Sequence, residues 1–215
     1  MILTADSLPN FRILNYTMGR IIASINMTID GFCDHTAVTP DEEVHQFFTD
    51  LLYEGDTILY GRTTYQLMES YWPLLLKSPS GEKTMDDFAR SIDRIPKLVF
   101  SRTLGGLNWD SARLAAGSLE DELRALKARP DMTVFLGSPS VIVQATNMGL
   151  IDEYRLVVHP VIIGEGLPLM KDVQEKIVLK LVRTKLFGCG AVALFYVPAA
   201  SGNDNVNSDS VPANR

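Results

Sequence analysis

Three short stretches of this chain end an apolar run and continue directly into groups that handle phosphate. Gly61-Arg62-Thr63-Thr64 follows Asp56 to Tyr60, Ser101-Arg102-Thr103 follows Lys97 to Phe100, and Gly137-Ser138-Pro139-Ser140 follows Thr133 to Leu136. A helix that begins at such a junction presents unpaired N–H groups and the positive end of its dipole, which favours an anion. Glycine lets the backbone approach a phosphate closely. Arg62 and Arg102 add planar guanidinium forks suited to a phosphate monoester. Two anion-ready helix starts with two arginines fit a dinucleotide that carries an extra 2′-phosphate, which favours NADPH over NADH. Each junction also has a purely local reading, because glycine after a strand and Ser or Thr at a helix start serve as ordinary turn and cap residues. The G-x-G-x-x-G fingerprint is absent, which disfavours an ordinary Rossmann site, and Gly164-Glu165-Gly166 reads as a turn.

Hydride chemistry would also need a proton and a place for the acceptor. Candidate handles are Asp30, Asp41, Glu43 and His45. Asp30 follows the first strand-like run and precedes Gly31, so a plain Asp-Gly turn competes with a catalytic role. At about 100° per residue, Asp41 projects onto the apolar stripe of a helix while Glu43 and His45 flank its edges. Complementing the helix dipole is the simpler role for these acids. Trp72 offers a ring that would wall a substrate pocket by stacking, with core packing as the competing role.

The rest of the composition narrows the field. The 215 residues carry a formal net charge of −6, which supplies no basic field for a nucleic-acid backbone. Two cysteines, Cys33 and Cys189, lack CxxC spacing, and His35, His45 and His159 form no HExxH pattern, so no metal site is expected. Reduced thiols in a cytoplasmic protein are the corresponding expectation. No run long enough for a transmembrane helix and no signal peptide are read. Residues 1–17 read as an extension outside the core, and the polar run from Ala199 to Arg215 is expected to stay disordered.

These candidate groups need elements to hold them. Residues 20–29 read as a first strand. Thr39-Pro40-Asp41-Glu42 opens a helix, with Thr39 as cap and Pro40 at the first position, and Val44, Phe47, Phe48, Leu51 and Leu52 form its apolar stripe. A buried strand at 56–60 leads into a helix at 62–70 that closes before Trp72-Pro73, followed by a loop at 77–84 and a short helix at 85–93. Strands at 97–100, near 112–115, at 133–136 and at 153–159 alternate with helices opened by Ser118 and by Ser138-Pro139. Two further strands, near 177–187 and 191–197, are joined by Gly188-Cys189-Gly190 as a hairpin. Such alternation predicts an α/β fold: a largely parallel mixed sheet covered on both faces, with the hairpin adding an antiparallel edge. Ligands in these sheets sit at the carboxyl ends of the strands.

The ordered blocks IIASINMTIDGF, DTILYGRTTYQLM, IPKLVFSRTL, TVFLGSPSVIVQ and GLIDEYRLVVHPVIIGEGLPL span about residues 19–197. In that order they resemble the dihydrofolate reductase superfamily, and within it the riboflavin-biosynthesis reductase branch. The resemblance implies a three-layer fold, over residues 18–198 of this chain, and an NADPH-dependent reductase acting on a small heterocyclic or carbonyl compound. It is similar in this to 5-amino-6-(5-phosphoribosylamino)uracil reductase and to dihydrofolate reductase. Carried over by motif, Gly61 to Thr64 would meet the pyrophosphate and adenosine side, and Ser101 and Arg102 the 2′-phosphate. Gly137, Ser138, Ser140 and Val141 would wrap the central phosphates, while Ala23 and Ile25 would line the nicotinamide pocket. Pro139 stands where relatives carry a small residue, and it removes one N–H donor. Asp30 matches the branch's Asp-Gly motif, whereas no residue aligns with the acid that holds a pterin. No H-x-E or P-C-x-x-C signature of a zinc deaminase occurs. The resemblance further implies a homodimer. The alternative to an enzyme is a nucleotide-binding module of the same fold without catalysis.

Overall fold

A computed structural model describes residues 18–199, so the expected extension at 1–17 and all but Ala199 of the expected disordered tail lie outside the described residues. The chain alternates strands and helices: β1 (Arg20–Thr28), α1 (Glu42–Glu54), β2 (Thr57–Gly61), α2 (Arg62–Lys77), α3 (Lys83–Arg94), β3 (Lys97–Phe100), β4 (Ala112–Leu114), α4 (Leu119–Lys127), β5 (Thr133–Leu136), α5 (Pro139–Asn147), β6 (Glu153–His159), β7 (Leu179–Leu186) and β8 (Val192–Pro198). The eight strands form one sheet in the order β4-β3-β2-β5-β1-β6-β8-β7. Every pairing from β4 across to β6 is parallel, while β8 runs antiparallel to both β6 and β7. The expected α/β architecture with a terminal antiparallel hairpin is therefore observed.

Two apolar layers hold the sheet. On one face Ile22, Val44, Phe47, Tyr65, Ile92 and Phe195 join α1, α2 and α3 to the strands. On the other, Ile21, Ala23, Leu59, Leu123, Val141 and Ile142 pack α4 and α5. Adjacent residues of β1 fall in opposite layers because side chains alternate across a strand.

Three helix boundaries differ from the sequence expectation. The first helix is capped by Asp41, whose Oδ1 accepts from the Val44 N–H at 2.9 Å, and not by Thr39. Asp41 thus lies before the helix, with extended backbone, and does not sit on its apolar stripe. The second helix runs through Pro73 to Lys77. An interior proline typically costs about 3 kcal/mol, yet the helix continues past it, with Trp72 packed on Phe88 of α3 at 4.5 Å. The third begins at Lys83, where the sequence suggested a loop through 84.

Candidate functional site

The strand order reverses direction around β2, β5 and β1, the place where α/β sheets open a crevice. β1 pairs with β5 only from Arg20 to Ala23, while its pairing with β6 continues to Thr28. Beyond Leu136 the β5 side of β1 is therefore open, and the second of two adjoining cavities reaches β1 there.

The first is a polar cleft of about 1060 Å³. Its floor is the β2–α2 junction, from Gly61 to Thr64, and the start of α5, from Pro139 to Val141. Ser101 and Arg102 after β3 form one wall. Neither Gly61 before α2 nor Ser138 before α5 makes a side-chain cap, so the first-turn N–H groups of both helices keep free capacity for an anion. α4, whose start also borders the cleft, is instead closed by the Ser118 hydroxyl and has Glu120, Asp121 and Glu122 in its first turn. Of the three helix starts at the cleft, those of α2 and α5 are therefore the ones left open. Cations come from Arg62, Arg102 and Lys171.

Two glycines are required by close approach. A Cβ on Gly61 would meet the Ser140 hydroxyl at 3.0 Å, and one on Gly137 would lie 2.7 Å from the Tyr60 ring. Ser138 is 1% exposed and accepts the Gly61 N–H on its Oγ at 2.9 Å, so its hydroxyl ties the two junctions together. Its neighbour Ser140 is exposed and faces the cleft.

The second cavity, about 370 Å³, is apolar and lies between β1, β2 and the helices α1, α2 and α3. Trp72, Phe88, Phe48 and Met68 line it, together with Ser24, Ile25 and Asn26 of β1. Thr64 borders both cavities, so they adjoin. Trp72 is held edge-on by Tyr71 at 4.9 Å and against Phe88 at 4.5 Å. Among the lining residues there is no Lys, Arg, Asp or Glu. His45 lines the cavity, and burial lowers its imidazole pKa against the opposing charges of Asp41 and Glu82. Asn26 is oriented from behind by His159, which is 2% exposed and whose Nε2 lies 2.9 Å from the Asn26 Oδ1. Since that oxygen carries no hydrogen, Nε2 donates.

Of the residues expected from the sequence, Gly61, Arg62, Thr63, Thr64, Ser101, Arg102, Ser140 and Val141 converge on the polar cleft. Gly137, Ile25 and Trp72 line the apolar cavity, while Ala23 is fully buried in the opposite layer with no exposed surface. The acids lie elsewhere. Asp30 accepts the Thr28 hydroxyl at 2.5 Å and the N–H groups of Ile163 and Gly164 at 3.0 and 2.8 Å. The Thr28 bond above all, then the Gly164 and Ile163 bonds, lower its pKa against a desolvation cost, so it is an ionised clamp on that loop. Asp41 and Glu43 accept from Cys189 N and Gly188 N, both at 2.8 Å, and so hold the β7–β8 hairpin. Burial opposes the charge on Asp41, but the bonds from Val44 and Cys189 prevail and its pKa is lowered. Neither Asp30, Asp41 nor Glu43 lines either cavity.

Other lining residues escaped the sequence reading. Gln144 and Asn147 follow Ser140 at helical spacing on α5, a signal the 3.6-residue period contains. Ser24 and Asn26 alternate with Ile25, a polar row in a buried strand. Lys171 comes from a loop with no local signal. Among the described residues no group of three or more His, Cys, Asp or Glu is placed to hold a metal, and no helix is long and apolar enough to cross a membrane.

Comparison with known proteins places the chain among relatives of the same fold. The chain is 37% identical over 190 residues to the uncharacterized protein YyaP of Bacillus subtilis, covering 85% of this chain and 96% of that one. A second Bacillus subtilis protein, YwjB, is 28% identical over 153 residues, covering 71% of this chain and 79% of that one. Among solved structures, a putative riboflavin biosynthesis protein from Shewanella sp. PV-4 superposes with a TM-score of 0.64 at 18% identity, over 84% of this chain and 99% of that one. The diaminohydroxyphosphoribosylaminopyrimidine deaminase/5-amino-6-(5-phosphoribosylamino)uracil reductase of Thermotoga maritima gives 0.58 at 15% identity, over 85% of this chain and 57% of that longer one. At these identities the structures share the fold, here the dihydrofolate reductase-like one. Because residues 20–193 match the family described as the RibD C-terminal domain, the chain belongs to that family.

Proposed function

We propose that this protein is an NADPH-dependent reductase that transfers a hydride to a small heterocyclic or carbonyl compound. The observation that carries the reading is the pairing of cavities. A polar cleft with two helix starts lacking side-chain caps and three cations opens beside an apolar pocket, with Thr64 between them. The residues present fit the cofactor: the N–H groups opening α2 and α5 would hold the central phosphates, and Arg102 with Ser101 the 2′-phosphate. When bound, NADPH would supply a hydride to the electrophilic carbon of a C=N or C=O group and leave as NADP⁺, while the acceptor's heteroatom takes one proton. His45 is the group we assign to pass that proton from its imidazole, because it is the half-buried titratable side chain on the acceptor side.

Fluorescence titration with NADPH and NADH tests cofactor use, and loss of reduced-cofactor absorbance with a panel of pterins, pyrimidines and carbonyl compounds tests catalysis. Tight NADPH binding without turnover of any acceptor would favour a non-catalytic nucleotide-binding module, a reading supported by the absence of a carboxylate among the pocket-lining residues.

The same reading includes a homodimer. The edge strand β7 exposes Leu181, Val182 and Leu186 at 48%, 62% and 72%, apolar surface that a second copy would cover. Light scattering at micromolar concentration is expected to give twice the chain mass; a monomer would overturn this part.

A further inference from the structure

We infer that the apolar pocket takes an uncharged, planar, largely apolar ring compound, anchored through one polar edge atom by the hydroxyl of Ser24, and excludes phosphorylated acceptors. The inference rests on the reductase reading only for what happens to that ring; the binding chemistry stands on the pocket itself.

Ser24 is 7% exposed, and among the described residues its Oγ is the one buried side-chain nitrogen or oxygen without a hydrogen-bond partner. Leaving a buried hydroxyl unpaired costs stability that a fold normally avoids. The hydroxyl sits on β1 just where β5 has ended, and it lines the cavity. A ligand atom at the ring edge, whether a carbonyl oxygen, a ring nitrogen or an N–H, satisfies it, because a hydroxyl both donates and accepts. Asn26, two residues on and fixed by His159, presents a second polar group on the same strand face.

Apart from the imidazoles of His35 and His45, the lining of the pocket selects against charge. Its walls are Trp72, Phe88, Phe48, Met68 and the ring of Tyr71, and no Lys or Arg is among the lining residues. A phosphate brought inside would meet no Lys or Arg, only the imidazoles of His35 and His45, and would lose its hydration with little compensation. The cations of this region, Arg62, Arg102 and Lys171, all belong to the other cavity. Tyr71 and Leu67 at the rim are 48% and 37% exposed, so the entrance is apolar as well. At about 370 Å³ the pocket is of the size that encloses a small ring system. This specificity differs from what the name of the Thermotoga maritima relative states for that protein, a phosphoribosylaminouracil reductase.

Coumarin, a neutral planar bicycle with one carbonyl, and uridine 5′-monophosphate are suitable probes, each titrated calorimetrically into the full chain with and without NADPH. Coumarin is expected to bind one site saturably and uridine 5′-monophosphate not to bind in the pocket. Ser24→Ala is expected to weaken coumarin about fivefold, the size of one neutral hydrogen bond, and to leave NADPH affinity unchanged. The same variant is expected to raise the melting temperature of the ligand-free protein by about 3 °C, because an unpaired buried hydroxyl is gone. A stabilised protein that binds coumarin less well is a pairing no merely structural serine would produce. Unchanged coumarin affinity in Ser24→Ala, a fall in NADPH affinity instead, or uridine 5′-monophosphate binding competitive with coumarin would each overturn the inference. Coumarin binding without any NADPH binding would remove the reductase reading and leave the pocket assignment standing; NADPH binding without coumarin binding would do the reverse.

Discussion

The hydroxyl of Ser138 accepts the backbone N–H of Gly61 at 2.9 Å, across 77 residues of sequence. This one bond locks the start of α5 to the start of α2, the two helix ends that floor the polar cleft. Ser138→Ala would leave a buried N–H unpaired, at a cost of about 1–3 kcal/mol. The expected result is a melting temperature lower by about 2–4 °C per kcal/mol lost, together with weaker NADPH binding although the Ser138 side chain touches no ligand in the proposed complex. Unaltered NADPH affinity in a destabilised variant would show that the junctions need no such tie.

Arg102 is exposed after β3, at the wall of the cleft. If it reads the 2′-phosphate, Arg102→Ala should lower NADPH affinity by about 10- to 100-fold, the value of a charge-assisted contact, and leave NADH affinity where it was. Paired titrations check this, and an equal loss for both cofactors would place Arg102 on the shared part of the molecule.

Gly137 packs against aromatic carbon. Its absent Cβ would lie 2.7 Å from Tyr60, whose ring is 2% exposed and cannot easily retreat. Gly137→Ala is therefore expected to destabilise by about 1–3 kcal/mol, as overpacked cores do, and to distort the apolar pocket that Tyr60 lines. Thermal denaturation and coumarin titration on the same sample would report both effects.

Asp30 provides a contrast. Its carboxylate clamps the loop at Ile163 and Gly164, and its pKa is lowered chiefly by the Thr28 hydroxyl. A lowered acid contributes stability that is present above the ordinary value of 3.8 and is lost as pH falls through the lower folded value. Asp30→Asn should reduce the melting temperature at neutral pH, lessen its fall in acid, and leave hydride transfer intact. Loss of turnover with unchanged stability would restore Asp30 as a catalytic residue.

Lys97 carries a second pH signature. It is 1% exposed, stacked 3.9 Å over the Trp109 ring, with its Nζ donating to the Asp93 and Ile95 carbonyls and to Ser111 Oγ. Burial, opposed by the charge of Asp93, pulls its pKa from 10.5 down to about 7. The folded chain then gives up this proton near pH 7 while the unfolded chain keeps it to about 10.5. Stability from this group accordingly rises with pH across that window. Lys97→Met should flatten the rise in a series of denaturation curves, whatever its effect on stability at pH 7.

Much of this was written locally. The 3.6-residue spacing of Val44, Phe47, Leu51 and Leu52 declares α1, and the buried runs before Gly61 and Gly137 declare β2 and β5. The polar cleft was legible because each of its contributing segments carries its chemistry beside a strand end. Roles of the acids were not. Asp30, Asp41 and Glu43 have sequence contexts that suit chemistry as well as turns and caps, and long-range N–H donors at Gly164, Cys189 and Gly188 turned them into struts.

What the order of residues determined by itself was the alternation of strands and helices and the phosphate-ready junctions, since both depend on spacing and on backbone freedom within a few positions. What only the tertiary structure decided was the apolar pocket. Its walls come from α1, α2 and α3 and from three strands, and its unpaired hydroxyl at Ser24 lies on β1 just past the last residue paired with β5, Ala23. No local pattern encodes which distant helices and strands close around a side chain, and burial together with hydrogen-bond satisfaction depends on all of them.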